Sequence, residues 1–273
     1  RDEGGQRCSV VGGVKASCVL ACMGDPVRDI VEMPRGGPDA SCLDRLLQTD
    51  RPEYLDRDDV DDKVKRGIVA TLDRVGSLFG EHDRNAELVL NEVADVADPR
   101  ILELGAGHGA LSRRILEQHP TAHVTISDVN PESVAAIAAS DLGSNPRAAV
   151  RLIDATDIDA ADGSFDLAVF ALSFHHLPPA PAARVFAEGT RVADKLVIID
   201  LSRLPSLLHI VKLATMAPLA LVWPFAHDGL VSSLRSYSPS ALRALARHAD
   251  PSIELEISPG SFDRQVVVAG RPG

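Results

Sequence analysis

The run Ile101-Leu102-Glu103-Leu104-Gly105-Ala106-Gly107-His108-Gly109 constrains this chain more than any other stretch. A short, mainly apolar segment reads as a buried strand, and alternate glycines follow where that strand must turn tightly into a helix. Leu111 and Ile115 then recur at helical spacing. Glycines in such a turn let the backbone approach a ligand with no Cβ in the way. Taken alone the pattern is ambiguous, because Gly105, Gly107 and Ala110 also satisfy the dinucleotide-binding sequence G-x-G-x-x-G/A.

The neighbouring sequence narrows the choice. From Arg100 to Asp200 strand and helix patterns alternate, which predicts a parallel sheet with helical crossovers. Glu103 stands two residues before the first glycine, giving E-x-G-x-G-x-G. The strand His123–Ser127 ends at Asp128, where a carboxylate can accept from two ribose hydroxyls. The strand Ala148–Ile153 ends at Asp154-Ala155-Thr156, a second acidic tip, near where an adenine amino group would lie. Asp162 to Val169 leads into Phe170-Ala171-Leu172-Ser173-Phe174-His175-His176-Leu177. Lys195–Leu201 reads as a fifth strand, and Ile253–Ile257 with Gln265–Ala269 as a closing antiparallel pair. The predicted architecture is α/β: a Rossmann-like, seven-stranded, mostly parallel sheet with helices on both faces, N-terminal helices and a helical insertion after strand five.

In this order the motifs resemble the class I S-adenosylmethionine-dependent methyltransferases, especially the small-molecule branch that includes the quinone C-methyltransferases. The resemblance covers about residues 60–203 well and the remainder more loosely. It implies S-adenosylmethionine as the cofactor and methyl transfer to a small acceptor. Glu103 and the loop with Gly105, Ala106 and Gly107 would hold the methionine end, with Glu103 facing its amino group. Asp128 would bind the ribose and Val129 would pack beside the adenine. Asp154 and Ala155 would contact the base, while Ala171 and Leu172 would lie beneath the sulfonium. The bland alternatives are that Glu103 anchors the loop and Asp154 caps the following turn. A nicotinamide-dependent oxidoreductase is the rival reading, although no Tyr-x-x-x-Lys pair is evident; a catalytically silent S-adenosylmethionine-binding protein is a further one.

The flanking segments divide the chain into a leader over 1–35, an N-terminal helical segment over 36–98 and the main domain over 99–273, with an insertion over 204–237. The leader holds Cys8, Cys18 and Cys22 without periodicity, and a natural start at Met33 is the expectation. Residues 58–62 spell D-D-x-x-D, but Val60, Val64, Ile68, Leu72, Val75 and Phe79 follow at helical spacing. The aspartates therefore read as a solvated helix start, where negative charge is favoured, and no metal set is visible. A second helix is expected over about Asp83–Val96.

The insertion is strongly apolar from Leu207 to Phe225, yet His209, Lys212 and Pro218 interrupt it too often for a membrane span. Its expected role is to cover a lipophilic acceptor. An acceptor hydroxyl or enol would lose its proton to a general base, for which His227, Asp228, His175 and Tyr237 are the candidates. Lys plus Arg is 28 against 39 Asp plus Glu, a net charge of −11, which argues against nucleic acid or an anionic membrane as the main partner. With four cysteines there is no disulfide scaffold, so a reducing, cytoplasmic setting is the default expectation.

Overall fold

The computed structural model describes residues 30–260 and 263–272. The readings placed on Cys8, Cys18 and Cys22 fall outside them. Seven strands form one sheet: β1 (Arg100–Leu104), β2 (His123–Asp128), β3 (Ala148–Leu152), β4 (Phe165–Ala171), β5 (Ala193–Leu201), β6 (Glu254–Pro259) and β7 (Arg264–Gly270). Their spatial order is β3-β2-β1-β4-β5-β7-β6. The first five pair in parallel, and β7 inserts antiparallel between β5 and β6.

The central strands are apolar on both faces, as parallel strands covered on each side must be. In β4, Leu167 and Val169 point into one core, and Ala168 and Phe170 into the other. β5 repeats the alternation with Val197 and Ile199 against Leu196 and Ile198. Each fully buried Leu or Ile contributes roughly 1.5–3 kcal/mol.

Nine α-helices lie among the described residues: α1 (Cys42–Leu46), α2 (Asp62–Leu78), α3 (Glu81–Asn91), α4 (Ala110–Gln118), α5 (Pro131–Ala138), α6 (Pro179–Val192), α7 (Ser206–Ala220), α8 (Pro224–Arg235) and α9 (Pro239–Ala249). Their starts follow from local chemistry. Asn130 caps α5 by accepting from the Glu132 N–H at 2.8 Å, with Pro131 in the first turn. Ser238 caps α9 by accepting from the Ala241 N–H at 3.1 Å. Asp61 caps α2 through the Lys63 N–H at 2.7 Å, so the D-D-x-x-D run ends in a helix start.

Two expectations change. Residues 30–35 are part of the folded body, since Met33 joins a core cluster and the Arg35 side chain is buried. The helical stripe of α2 also buries less than its spacing predicts, because Ile68 is enclosed while Leu72 and the following Phe79 stay largely exposed. Among the described residues no helix is long and apolar enough to cross a membrane.

Strand order reverses between β1 and β4. In open α/β sheets ligands bind in the crevice outside the strand C-termini at such a reversal. The crevice is therefore framed by Gly105, Asp128 and Leu172.

Candidate active site

Gly105 and Gly107 both have positive φ, 63° and 58°. Their surroundings differ. A Cβ on Gly105 would lie 2.6 Å from Phe170 Cε2, so that glycine is required by packing between β1 and β4. A Cβ on Gly107 would meet nothing within 4 Å, so that glycine borders open space. The loop is tied to β2 by the Ala106 N–H, which donates to the Ser127 carbonyl at 2.9 Å, and by Ser127 Oγ, which donates to the Glu103 carbonyl at 2.7 Å.

Asp128 is buried at the tip of β2. Its Oδ2 accepts from the Gly107 N–H and its Oδ1 from the Asn130 N–H, both at 2.8 Å. Each carboxylate oxygen keeps a further lone pair for a hydroxyl donor. Glu103 is also buried, and its Oε2 accepts from the backbone N–H and the hydroxyl of Ser112. Burial pushes the Glu103 carboxyl up to about 7; the Ser112 bonds oppose that and the Asp128 charge adds to it.

Val129 and Leu152, large apolar residues beside the β2 and β3 tips, are well exposed. Asp154 turns back on its own chain, with Oδ1 accepting from the N–H and hydroxyl of Thr156, both at 2.8 Å. Ala155 is half-buried against the core. Ala171 ends β4, and Leu172 is the one non-glycine at positive φ (57°) among the described residues. That conformation costs about 1–3 kcal/mol and persists only where the surroundings impose it, a mark of ligand sites. The Leu172 N–H donates to the Ile199 carbonyl at 2.7 Å, and Ser173 Oγ lies 3.3 Å from both the Gly105 and Ala171 carbonyls. The β1 and β4 tips are thus fastened to one another.

Beyond β4 a second polar group gathers around the short turn Phe174–His176. The His175 N–H donates to Asp200 Oδ2 at 2.7 Å, and His175 Nδ1 lies 2.7 Å from Asp200 Oδ1. His175 Nε2 faces Glu53 Oε1 at 3.4 Å, and His176 Nε2 faces Glu53 Oε2 at 3.8 Å. His176 Nδ1 lies 2.9 Å from Asp56 Oδ2, which also takes Arg235 Nη1 at 3.1 Å. Glu53 Oε1 accepts from Ser232 Oγ at 2.7 Å. Arg35 donates from Nη1 to the His175 carbonyl at 2.7 Å and to the Arg235 carbonyl at 2.6 Å.

The four candidate bases fall in different surroundings. His175 is buried with both ring nitrogens facing carboxylates; burial opposes its charge, but Asp200 and Glu53 outweigh that and raise it to about 9. Tyr237 is buried in the core, its hydroxyl donating to the Leu177 carbonyl at 2.8 Å and its ring beneath Arg35. Asp228 accepts the N–H groups of Tyr54 (2.8 Å) and Leu55 (3.3 Å), so it caps the turn Tyr54–Asp56. His227 is partly exposed; its Nδ1 lies 3.0 Å from Asp228 Oδ1 and its ring stacks on Tyr54 at 3.9 Å.

Segment 204–237 forms α7 and α8. α8 buries Asp228, Ser232 and Arg235, whereas α7 buries only His209. Leu207 is 75% exposed and Leu221 87%, so the apolar run faces outward. The expected closed cover is absent in this arrangement. Sequence reasoning missed Arg35, Glu53, Asp56, Asp200 and Arg235. Only Asp200, an acid at the end of a predicted strand, carried a local signal.

Residues 101–195 match the methyltransferase domain family. Over 97 residues the chain is 37% identical to the malonyl-[acyl-carrier protein] O-methyltransferase of Geobacter sulfurreducens, covering 36% of this chain and 35% of that relative. The chain thus spans about a third of that relative's length. Among solved structures it resembles a SAM dependent methyltransferase from Aquifex aeolicus (18% identity, 67% of this chain and 88% of that one, TM-score 0.50). It also resembles the plantazolicin methyltransferase BpumL in complex with SAH (14% identity, 84% and 95%, TM-score 0.59). Those structural likenesses speak to the fold; the sequence match and the glycine loop speak to the family. Residues 101–195 are thus similar in sequence to methyltransferase domains, and they lie on a fold shared with methyltransferases of known structure.

Proposed function

We propose that this protein transfers a methyl group from S-adenosylmethionine to a small, largely apolar acceptor bound in the crevice between the β1 and β4 tips. The observation that carries the reading is Gly107: a positive-φ glycine with open space before it, its amide held by Asp128. The residues present suit the cofactor. Open space at Gly107 and the spare lone pairs of Asp128 suit a ribose and exposed Val129 suits an adenine face, while Glu103, buried on the Ser112 amide and hydroxyl, anchors the start of α4 behind the loop. When bound, S-adenosylmethionine supplies an electrophilic methyl on a sulfonium.

The chain's own contribution is then position and dryness, which suffice for in-line displacement once the reactants are aligned. Ala171 and the strained Leu172 set the floor of the crevice at the β4 tip. For a hydroxyl acceptor, His227 is the proton-taking residue: with Nδ1 protonated and directed at Asp228, Nε2 is left to accept the proton. An apolar acceptor is favoured because α7, which packs on α8, leaves Leu207, Leu208 and Val211 exposed for an apolar molecule.

A panel of phenols, quinones, fatty acids and polar metabolites, assayed by mass for methylated product, tests the acceptor class. Turnover of apolar hydroxyl compounds, falling at least ~100-fold in His227→Ala as general-base loss predicts, is the expected result. Turnover confined to polar metabolites contradicts the acceptor class, and undiminished turnover in the variant removes His227 from the reaction.

A further inference from the structure

The group beyond β4 has the construction of a metal site. Glu53, His175 and His176 each offer a ligand atom, and these atoms lie within 4.8 Å of one another. Each imidazole has its Nδ1 on a carboxylate, Asp200 for His175 and Asp56 for His176, which leaves both Nε2 atoms directed at Glu53. Carboxylate-backed histidines converging on one point are what metal-ligating imidazoles require, because the rear hydrogen bond fixes ring and tautomer.

An independent observation points the same way. His175 Nε2 is wholly buried and forms no hydrogen bond, although it faces into the cluster from a side chain 5% exposed. Distances fit as well. Ligand atoms around a tetrahedral ion with bonds of ~2.0–2.1 Å stand about 3.3 Å apart, against 3.4 Å for His175 Nε2 to Glu53 Oε1 and 3.8 Å for His176 Nε2 to Glu53 Oε2. Charge is compatible: Arg35 is matched by Asp50 and Arg235 by Asp56, while Glu53 and Asp200 both face His175, whose proton a bound cation would replace.

We propose that Glu53, His175 and His176 bind a divalent transition-metal ion of the zinc type. Two imidazoles and one carboxylate suit zinc, cobalt or iron(II) better than magnesium or calcium, which take all-oxygen sets. Three protein ligands leave a fourth position for water or for an oxygen of a bound molecule. The ion would fasten the turn at Glu53, and through it the N-terminal segment, to the tip of β4.

The test needs no S-adenosylmethionine, so its outcome is separate from that of the proposed reaction. Chelator-stripped full-length protein is titrated with Zn2+ by calorimetry and with Co2+ by visible absorption. One equivalent should bind, with ligand-field bands of low coordination number for Co2+ and a higher melting temperature with Zn2+. Glu53→Gln and His176→Gln should each weaken binding by at least ~10–100-fold and abolish the thermal shift. His176 is partly exposed, so its variant reports even where Glu53→Gln does not fold. Absence of stoichiometric binding, or equal binding in wild type and His176→Gln, overturns the site.

Discussion

On the β1–β2 side of the crevice the polar groups come from residues 103 to 130, and on the β4–β5 side from Arg35, Glu53, Asp56, His175, His176, Asp200, Asp228 and Arg235. The first side is held mainly by backbone N–H groups close in sequence to the carboxylates they meet. The second is held by side chains 25 to 200 residues from their partners, as with His175 and Asp200 or Arg35 and the Arg235 carbonyl. A site of the first kind is specified by a short motif; one of the second exists only once the N-terminal segment and α8 have docked. Substitutions should therefore separate into those that empty the crevice and those that loosen its far wall.

The largest expected effect is on the far wall. Arg35→Ala removes donors from the buried carbonyls of His175 and Arg235 and the cation over Tyr237. Such losses sum to about 2–5 kcal/mol, or roughly 5–15 °C in a chain of this size. Thermal unfolding checks this, and a shift within a degree or two would mean that residues 30–60 are not integral to the fold.

A smaller, two-part effect belongs to the near side. Asp128→Ala should cut S-adenosylmethionine affinity by about 10–100-fold through loss of charge-assisted hydrogen bonds. It should also lower the melting temperature, since the Gly107 and Asn130 amides lose their acceptor. Calorimetry with thermal unfolding separates the parts; a loss of stability with unchanged affinity would make Asp128 a loop fastener alone.

The smallest effect is a slope. Burial raises the Glu103 carboxyl from 4.5 to about 7 in the folded protein. Between those values the folded chain holds a proton that the unfolded chain has lost, so this group lowers stability as pH rises across the window. Glu103→Gln should flatten that part of the stability–pH curve. A parallel curve in wild type and variant would show that Glu103 titrates normally.

The same contrast explains what the sequence disclosed. Strands β1, β4 and β5 were legible because each holds a short apolar run, β2 and β3 because each leads to an acidic tip, and the loop because Gly105 and Gly107 sit where only positive φ will serve. Glu53 and Asp56 sent no such signal, since their partners Ser232 and Arg235 lie 179 residues away. The apolar run after β5 was visible, but periodicity states which residues are alike and not which are covered, so the exposure of Leu207 and Leu221 could not be read from it.

The central claim is that the space before Gly107 is the cofactor's. Calorimetric titration of wild type and Gly107→Val with S-adenosylmethionine tests it most directly. A Cβ there meets no protein atom, so the variant should fold, with a backbone penalty of about 1–2 kcal/mol. Its branched side chain should nevertheless lower affinity by ~100-fold or more, about 2.7 kcal/mol, against saturable one-to-one binding in the wild type. Equal affinity in both proteins, or no saturable binding in either, would contradict the account.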